Sequence, residues 1–249
     1  MSALFTEYYV QLINARTKAA LTDDTGVYNV LTTSTPAEAT IYSDDQGTSA
    51  SNPGTITDGI IKFYTAVSVA SVDVTFLTSD GYPGFIAGLT PSQHRFEVNT
   101  DDRTNLTLVL PFTIAASAVS AYSSGFALNA LHVVKDIKVK VTTAGGTSNI
   151  LNVGHSASLS GLFNAVLSAT GLKQREQFGG LACANPVAAT VSLTLGAWFG
   201  VSMLYSATDN TNVKPYFGGA VTTVCFKEAN QTGATGAGYV YMILDKLVV

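Results

Sequence analysis

The stretch Ala39–Ala66, ATIYSDDQGTSASNPGTITDGIIKFYTA, decides the fold class. Thr40-Ile41-Tyr42 is a short run of β-formers. It gives way to Asp44-Asp45-Gln46-Gly47, a turn by chemistry, because Asp caps backbone amides and Gly tolerates positive φ. A polar loop through Asn52-Pro53-Gly54 follows, and Ile60-Ile61-Lys62-Phe63-Tyr64 resumes the β pattern. The expected order is strand, polar turn, strand, and nothing in it suggests catalytic chemistry.

Towards the amino terminus, Phe5–Ala20 carries Tyr8, Val10, Leu12 and Ile13 in a pattern that fits a strand better than a helix. Thr22–Gly26 is a second Asp-rich turn and Val27–Leu31 a strand, so residues 1–36 are expected to form an arm or edge hairpin. Towards the carboxyl terminus, strands recur at Val72–Leu77, His94–Val98 and Leu106–Leu110, with turn chemistry at Asp80-Gly81, Pro83-Gly84 and Asn99–Arg103. Val72–Phe76 alternates strictly, which predicts one face buried and one exposed. Residues 37–112 are expected to form a small antiparallel sandwich or barrel. Residues 113–129, where Ala115–Ala121 has neither charge nor period, are expected to form a junction.

A second β domain is expected over 130–249. Val134–Val141 puts Ile137, Val139 and Val141 on one face and Asp136, Lys138 and Lys140 on the other. Gly145-Gly146 leads into Asn149–Gly154, which predicts a hairpin between the two. Ser160–Thr170, with Leu162, Phe163, Val166 and Leu167 ahead of Gly171, is expected to be a short helix. Strands are expected at Ala189–Leu195, Trp198–Tyr205, Ala220–Lys227 and Tyr239–Val249, with Gln231–Gly238 a low-complexity loop, which suits a jelly-roll or similar sandwich. The fold class is thus all-β with one short helix, in two antiparallel β-sandwich or jelly-roll-like domains.

The 249 residues are 47% hydrophobic and 12% charged, against roughly 25% charged in an average soluble domain. A polar surface built from Ser, Thr, Asn and Gly in place of Lys and Glu suggests an assembled or multivalent protein. A net charge of −4 gives no footprint for phosphate backbones and argues against nucleic-acid binding. No basic n-region precedes an apolar run at Met1–Tyr9, and Val187–Met203, the most apolar long stretch, is broken by Thr, Ser and Gly. A soluble protein with no membrane partner is expected. Cys183 and Cys225 are the only cysteines, and reduced thiols are favoured over a disulfide.

His94, His132 and His155 lack zinc-ligand spacing, and Asp23-Asp24, Asp44-Asp45 and Asp101-Asp102 lack calcium-loop spacing, so turn capping is the favoured role for the acids and no metal or other cofactor is expected. Gly154–Ser158 approaches a nucleophile elbow but has Ser in place of its final Gly. Gly233–Gly238 precedes a strand where a phosphate loop would precede a helix. Tyr82, Phe85, Tyr216 and Phe217 fall in expected loops; with Tyr8 and Tyr9 of the arm they are candidates for subunit contact, the other uses considered being plain core or surface packing and sugar binding.

LTDDTGVYNVLT, ATIYSDDQGT, NPGTITDGIIKFYT and VSVASVDVTF resemble the small β modules of tailed-bacteriophage virion proteins. KDIKVKVTT, ILNVGHSASLSGLF and ATGL are similar in style to the β domains of phage head decoration and minor capsid proteins. The resemblance implies a non-enzymatic component of the virion, assembled in the host cytoplasm. It would stabilise the capsid or an adjoining lattice as a symmetric homo-oligomer, a trimer being favoured, with the major capsid protein or other virion subunits as partners. Two alternatives remain open: a receptor- or carbohydrate-binding module of a fibre or tail, using Tyr82, Phe85 and Tyr216, and a glycosidase pairing carboxylates among Asp73, Glu97 and Asp136.

Overall fold

The computed structural model describes residues 5–114, 121–128, 132–143, 150–155, 158–165, 198–202, 222–229 and 236–246, and all regular structure among them is β. The chain divides into Met1–Arg103 and Thr104–Val249.

The first unit contains β1 (Phe5–Asn14), β2 (Gly26–Thr32), β3 (Gly54–Ile56), β4 (Ile60–Ala66), β5 (Val72–Thr78), β6 (Pro83–Leu89) and β7 (Gln93–Val98). They form two sheets, in the orders β4-β1-β7 and β3-β2-β5-β6. The segment read as an arm is instead a central strand: β1 pairs antiparallel with β4 and parallel with β7, and Tyr8, Val10 and Leu12 are fully buried. Its alternation signals a buried face, but the strand that closes its second edge arrives some eighty residues later, beyond the reach of local pattern. The sheets meet through aromatic rings. Tyr28 packs on Phe63 at 5.9 Å between centroids and Phe96 meets Phe76 edge-on at 5.4 Å, while within one sheet Tyr8 stacks on its cross-strand partner Phe63 at 5.0 Å.

Within Ala39–Ala66, Ile60–Ala66 is the expected strand, whereas Thr40–Tyr42 forms only isolated bridges. Tyr42 exchanges both backbone bonds with Tyr64, each 2.9 Å, and so closes the free edge of β4. The alternation of Val72–Phe76 misleads, because all seven residues of β5 are buried. Asp73 is accommodated by backbone donors, its carboxylate accepting from Ser34 N at 3.0 Å and Gly88 N at 2.7 Å. Pro83-Gly84, read as a turn, begins β6; the ring of Phe76 lies against Gly84, where a side chain would collide with it.

The second unit contains β8 (Leu106–Ile114), β9 (Ala121–Leu128), β10 (His132–Thr143), β11 (Ile150–His155), β12 (Ser158–Ala165), β13 (Trp198–Ser202), β14 (Thr222–Ala229) and β15 (Gly236–Lys246). Two sheets run in the orders β13-β10-β15-β8 and β12-β11-β14-β9. The pairing is nested: β8 with β15, β9 with β14, β10 with β13, and β11 with β12, all antiparallel. A chain doubled back in this way and rolled into two four-stranded sheets has jelly-roll order. Ile137, Val139 and Val141 of β10 are buried as their spacing predicts, together with Leu108 and Leu110 of β8 and Val240, Met242 and Leu244 of β15.

Three expectations about this half are corrected. The jelly roll begins at Leu106, so β8 belongs here and not with the first sandwich, and β9 occupies part of the expected junction. β10 and β11 lie in different sheets and do not form a hairpin. Residues 158–165 form a strand and not the start of a helix, Asn164 pairing with Asn152 and Phe163 with Val153, since a short apolar run carries no decisive period. Residues 166–170, Ala189–Leu195, Cys183 and most of the expected loop Gln231–Gly238 lie outside the described residues.

Phe63, 1% exposed and in contact with two tyrosine rings, tests the packing of the first unit. Phe63→Ala is expected to cost about 3–5 kcal/mol. Val67→Ala, at a residue 57% exposed, should stay within about 0.5 kcal/mol. Urea unfolding followed by circular dichroism measures both.

Candidate functional site

Alternation along β1 and β4 sends Tyr8, Val10, Ile61 and Phe63 inward, which leaves Glu7, Tyr9, Gln11, Ile60, Lys62 and Tyr64 on the outer face of the same sheet. Register places Glu7 opposite Tyr64, Tyr9 opposite Lys62 and Gln11 opposite Ile60. The Tyr64 hydroxyl donates to Glu7 Oε2 at 2.6 Å, the Lys62 ammonium lies 3.1 Å from the same oxygen, and Lys62 also sits 5.6 Å from the Tyr64 ring centroid. The Tyr9 hydroxyl is 3.4 Å from Gln11 Oε1. The centre of the face is therefore aromatic and polar, with its charges paired.

At the β4 edge this face runs into a cleft of about 470 Å³, lined among others by Tyr28, Tyr42, Ser51, Thr55, Asp58 and Lys62. Tyr28 is buried and donates its hydroxyl to Lys62 O at 2.9 Å, and burial pushes its phenol pKa up to about 12. Its ring lies so close to Gly54 that any Cβ there would overlap it. Asn52 anchors the loop through three hydrogen bonds: it accepts from Val30 N at 3.0 Å and donates to Val30 O at 2.7 Å and Ala39 O at 2.9 Å. Asp44 Oδ1 accepts from the backbone N–H of Gln46 and of Thr48, and bonding from Thr48 holds its carboxyl below the usual range. Asp44 thus serves as the turn cap, while Asp45 accepts from the Gln46 side-chain amide at 2.9 Å. Phe5 packs on Tyr42 at 4.4 Å between centroids and against Gly47, whose φ of +87° admits the turn.

The candidate contact residues fare unequally. Tyr8 is fully buried, donating to Val69 O at 3.0 Å, and Tyr82 is 5% exposed, donating to Thr100 O at 2.6 Å. Both are packing residues whose hydroxyls found backbone acceptors, which corrects their assignment to a contact surface. Tyr9 and Phe85 are half-buried, on β1 and β6. Tyr216 and Phe217 lie outside the described residues. Sequence reasoning missed Tyr42, Lys62 and Tyr64, although the alternation of Ile60–Tyr64 carries the signal that places Lys62 and Tyr64 on an outer face. Of the carboxylates considered for glycosidase chemistry, Asp73 accepts backbone bonds on both oxygens, and Glu97 pairs with Lys18 at 2.6 Å. They belong to different sheets.

The chain matches no protein-family model and no curated protein. Among solved structures it has a weak likeness to that of the infectious bursal disease virus Gx strain, at 15% identity over 97% of this chain and 56% of the other, with a TM-score of 0.24. The VP2 subviral particle of the same virus matches at 12% identity over 97% of this chain and 56% of the other, again with a TM-score of 0.24. The chain spans little more than half the length of these proteins. The TM-scores are too low to carry a fold or a role from them.

The Glu7–Tyr64–Lys62 group has a defined pH signature. The Tyr64 hydroxyl, and then the Lys62 ammonium, hold Glu7 below its usual value, while Glu7 raises both Lys62 and Tyr64. Stabilisation from the lowered carboxyl is present above its unfolded value of about 4.3 and is lost as pH falls through the folded value. Stabilisation from the raised phenol and ammonium is present below about pH 10 and is lost as pH rises through their folded values. Both side chains of the ion pair are over a third exposed, at 38% and 48%, so the whole effect should stay within about 1 kcal/mol. Tyr64→Phe is expected to raise the titration midpoint of Glu7, measured on its carboxyl carbon by NMR; an unchanged midpoint would show that the hydroxyl is not what lowers it.

Proposed function

We propose that this chain is a non-enzymatic structural protein of a tailed-phage virion, which binds and stabilises the capsid or an adjoining lattice in the manner of a decoration protein. The observation that carries this reading is the nested strand order of the second unit, β8 with β15 inward to β11 with β12. Jelly rolls of this order recur in viral capsid proteins and in lectin domains. Fold alone does not fix function; the low charge and the virion-like segments supply the rest of the support. Decoration is a matter of geometry. Many weak copies add up once each faces its lattice position, and a closed oligomer supplies several contacts at once.

The first unit offers an edge suited to such contact. Three of its sheet edges are guarded: β4 by Tyr42, β3 by its three-residue length and by Pro53, and β7 by His94, Arg95 and Glu97. β6, PGFIAGL, has Pro83 at its start and a bulge near its end but no charged residue, with Ala87 and Gly88 exposed and Phe85 and Ile86 half-buried. An uncharged edge is a ready template for a neighbouring subunit. Ala87→Lys places a charge on it without touching the core.

Mixed with capsids from its own source that lack it, the purified protein is expected to co-sediment and to raise their melting temperature. Ala87→Lys should bind much more weakly while unfolding at the wild-type temperature. Failure of the wild-type protein to bind, or binding that leaves capsid melting unchanged, would overturn the proposal.

A further inference from the structure

We infer that the cleft between the Ser51–Asp58 segment and β4 is a binding site for a neutral oligosaccharide, separate from and additional to the lattice role. Its volume of about 470 Å³ falls within the range of small-molecule sites, about 300–1,000 Å³. Its lining is of two kinds. Half-buried Tyr42 supplies ring surface over a floor closed by Tyr28, and Ser43, Ser51, Thr55 and Thr57 supply hydroxyls. A sugar ring presents the same two kinds of surface, C–H groups on its faces and hydroxyls around its rim. Aromatic rings pack on the first, while Ser and Thr hydroxyls, each both donor and acceptor, match the second whatever the hydroxyl's orientation.

Charge selects within the class of polar ligands. A phosphate, sulfate or sialic acid would need an uncommitted cation. The ammonium of Lys62 is already 3.1 Å from Glu7 and lies over the Tyr64 ring, and Asp58 is an exposed carboxylate on the cleft wall. An anionic ligand therefore meets net repulsion, whereas Asp58 can accept hydrogen bonds from sugar hydroxyls. An apolar ligand would strand the hydroxyls of the lining without partners.

The site is also held in place before any ligand arrives. Asn52 fixes the loop with three hydrogen bonds, and the Tyr28 hydroxyl ties the floor of the cleft to β4. The N–H of Gly59 donates to Asp24 O at 2.7 Å, fixing the turn that presents Asp58. Asp58 and Gly59, with φ of +52° and +66°, are the central residues of the tight turn that joins Thr57 to Ile60, the left-handed pair a two-residue Asp-Gly hairpin takes. Pre-organisation of this kind lowers the ordering cost of binding. The outer-face residues Tyr64 and Tyr9, which continue from Lys62, would extend the contact along a chain of sugars.

The test uses the full-length protein, fluorescently labelled, on an array of neutral glucose, galactose, mannose and N-acetylglucosamine oligosaccharides beside sialylated and sulfated ones. Titration calorimetry follows with the best-bound sugar. Binding to at least one neutral oligosaccharide is expected, weakened about tenfold or more in Tyr42→Ala. Because Tyr42 also bonds to Tyr64 and packs on Phe5, a second variant keeps the reading independent of folding. Ser51→Trp, at an exposed loop position, fills the cleft and should abolish sugar binding while leaving the melting temperature and capsid co-sedimentation of the wild type. Absence of binding to any neutral sugar, binding restricted to acidic sugars, or neutral binding that survives Ser51→Trp would each overturn the assignment.

Discussion

The first unit depends on where Tyr28 is held. Its ring fills the space between two sheets, packing on Phe63 from one side and on the backbone of Gly54 from another, while its hydroxyl ends on the carbonyl of Lys62. One side chain thus sets the separation of the sheets and the approach of β3, and ties both to the register of β4. The apolar body of tyrosine satisfies the core, and the hydroxyl has a backbone acceptor waiting at the rim, so no polar atom is stranded. The same placement makes Tyr28 the floor of the cleft, which links the packing of the sandwich to the shape of its surface.

Around that ring the fold spends polar side chains on backbone groups that no ladder can reach. Asn52 completes the hydrogen bonding of Val30 and Ala39, Asp73 that of Ser34 and Gly88, and Asp44 that of Gln46 and Thr48. The first two satisfy part-buried backbone groups, while Asp44 holds an exposed turn together. Asn29 is the exception among the described residues: its Nδ2 reaches Glu38 at 3.1 Å, but its Oδ1 is buried with no partner, and nothing in the structure explains it.

How much of this was legible follows from the range of each interaction. Strands whose evidence is local, such as Ile60–Ala66 and the amphipathic run through Ile137, Val139 and Val141, were read correctly, because alternation directly reports one buried face. Partners were not. The parallel pairing of β1 with β7 and the pairing of β8 with β15 join segments far apart in sequence, so Phe5–Asn14 looked like an arm and Leu106–Leu110 like part of the wrong sandwich. Asp73 and Thr75 pointed to an exposed face that does not exist, since a buried carboxylate is invisible in sequence until its donors are known. In the candidate site, the outer-face alternation of Lys62 and Tyr64 was readable. The fate of Tyr8 and Tyr82 was not, because a tyrosine in a strand or loop is equally suited to a surface or to a core with an acceptor at its edge.

The sparse charge of the chain gains meaning from where its ions sit. Arg16 pairs with Asp101, Lys18 with Glu97, Lys62 with Glu7 and Lys135 with Asp245. Three of these pairs are exposed and individually worth little; what they accomplish is to cancel fields locally. In the second unit the Lys135–Asp245 pair also engages Asn105, whose N–H donates to Asp245 and whose side-chain oxygen accepts from Lys135, so that it fastens the start of β8 to β15 and β10. Where charges are paired in this way, the surface exerts little long-range field on a neighbouring body. Recognition at such a surface falls to shape, edge pairing and short-range hydrogen bonds, which act only once two bodies are already in register.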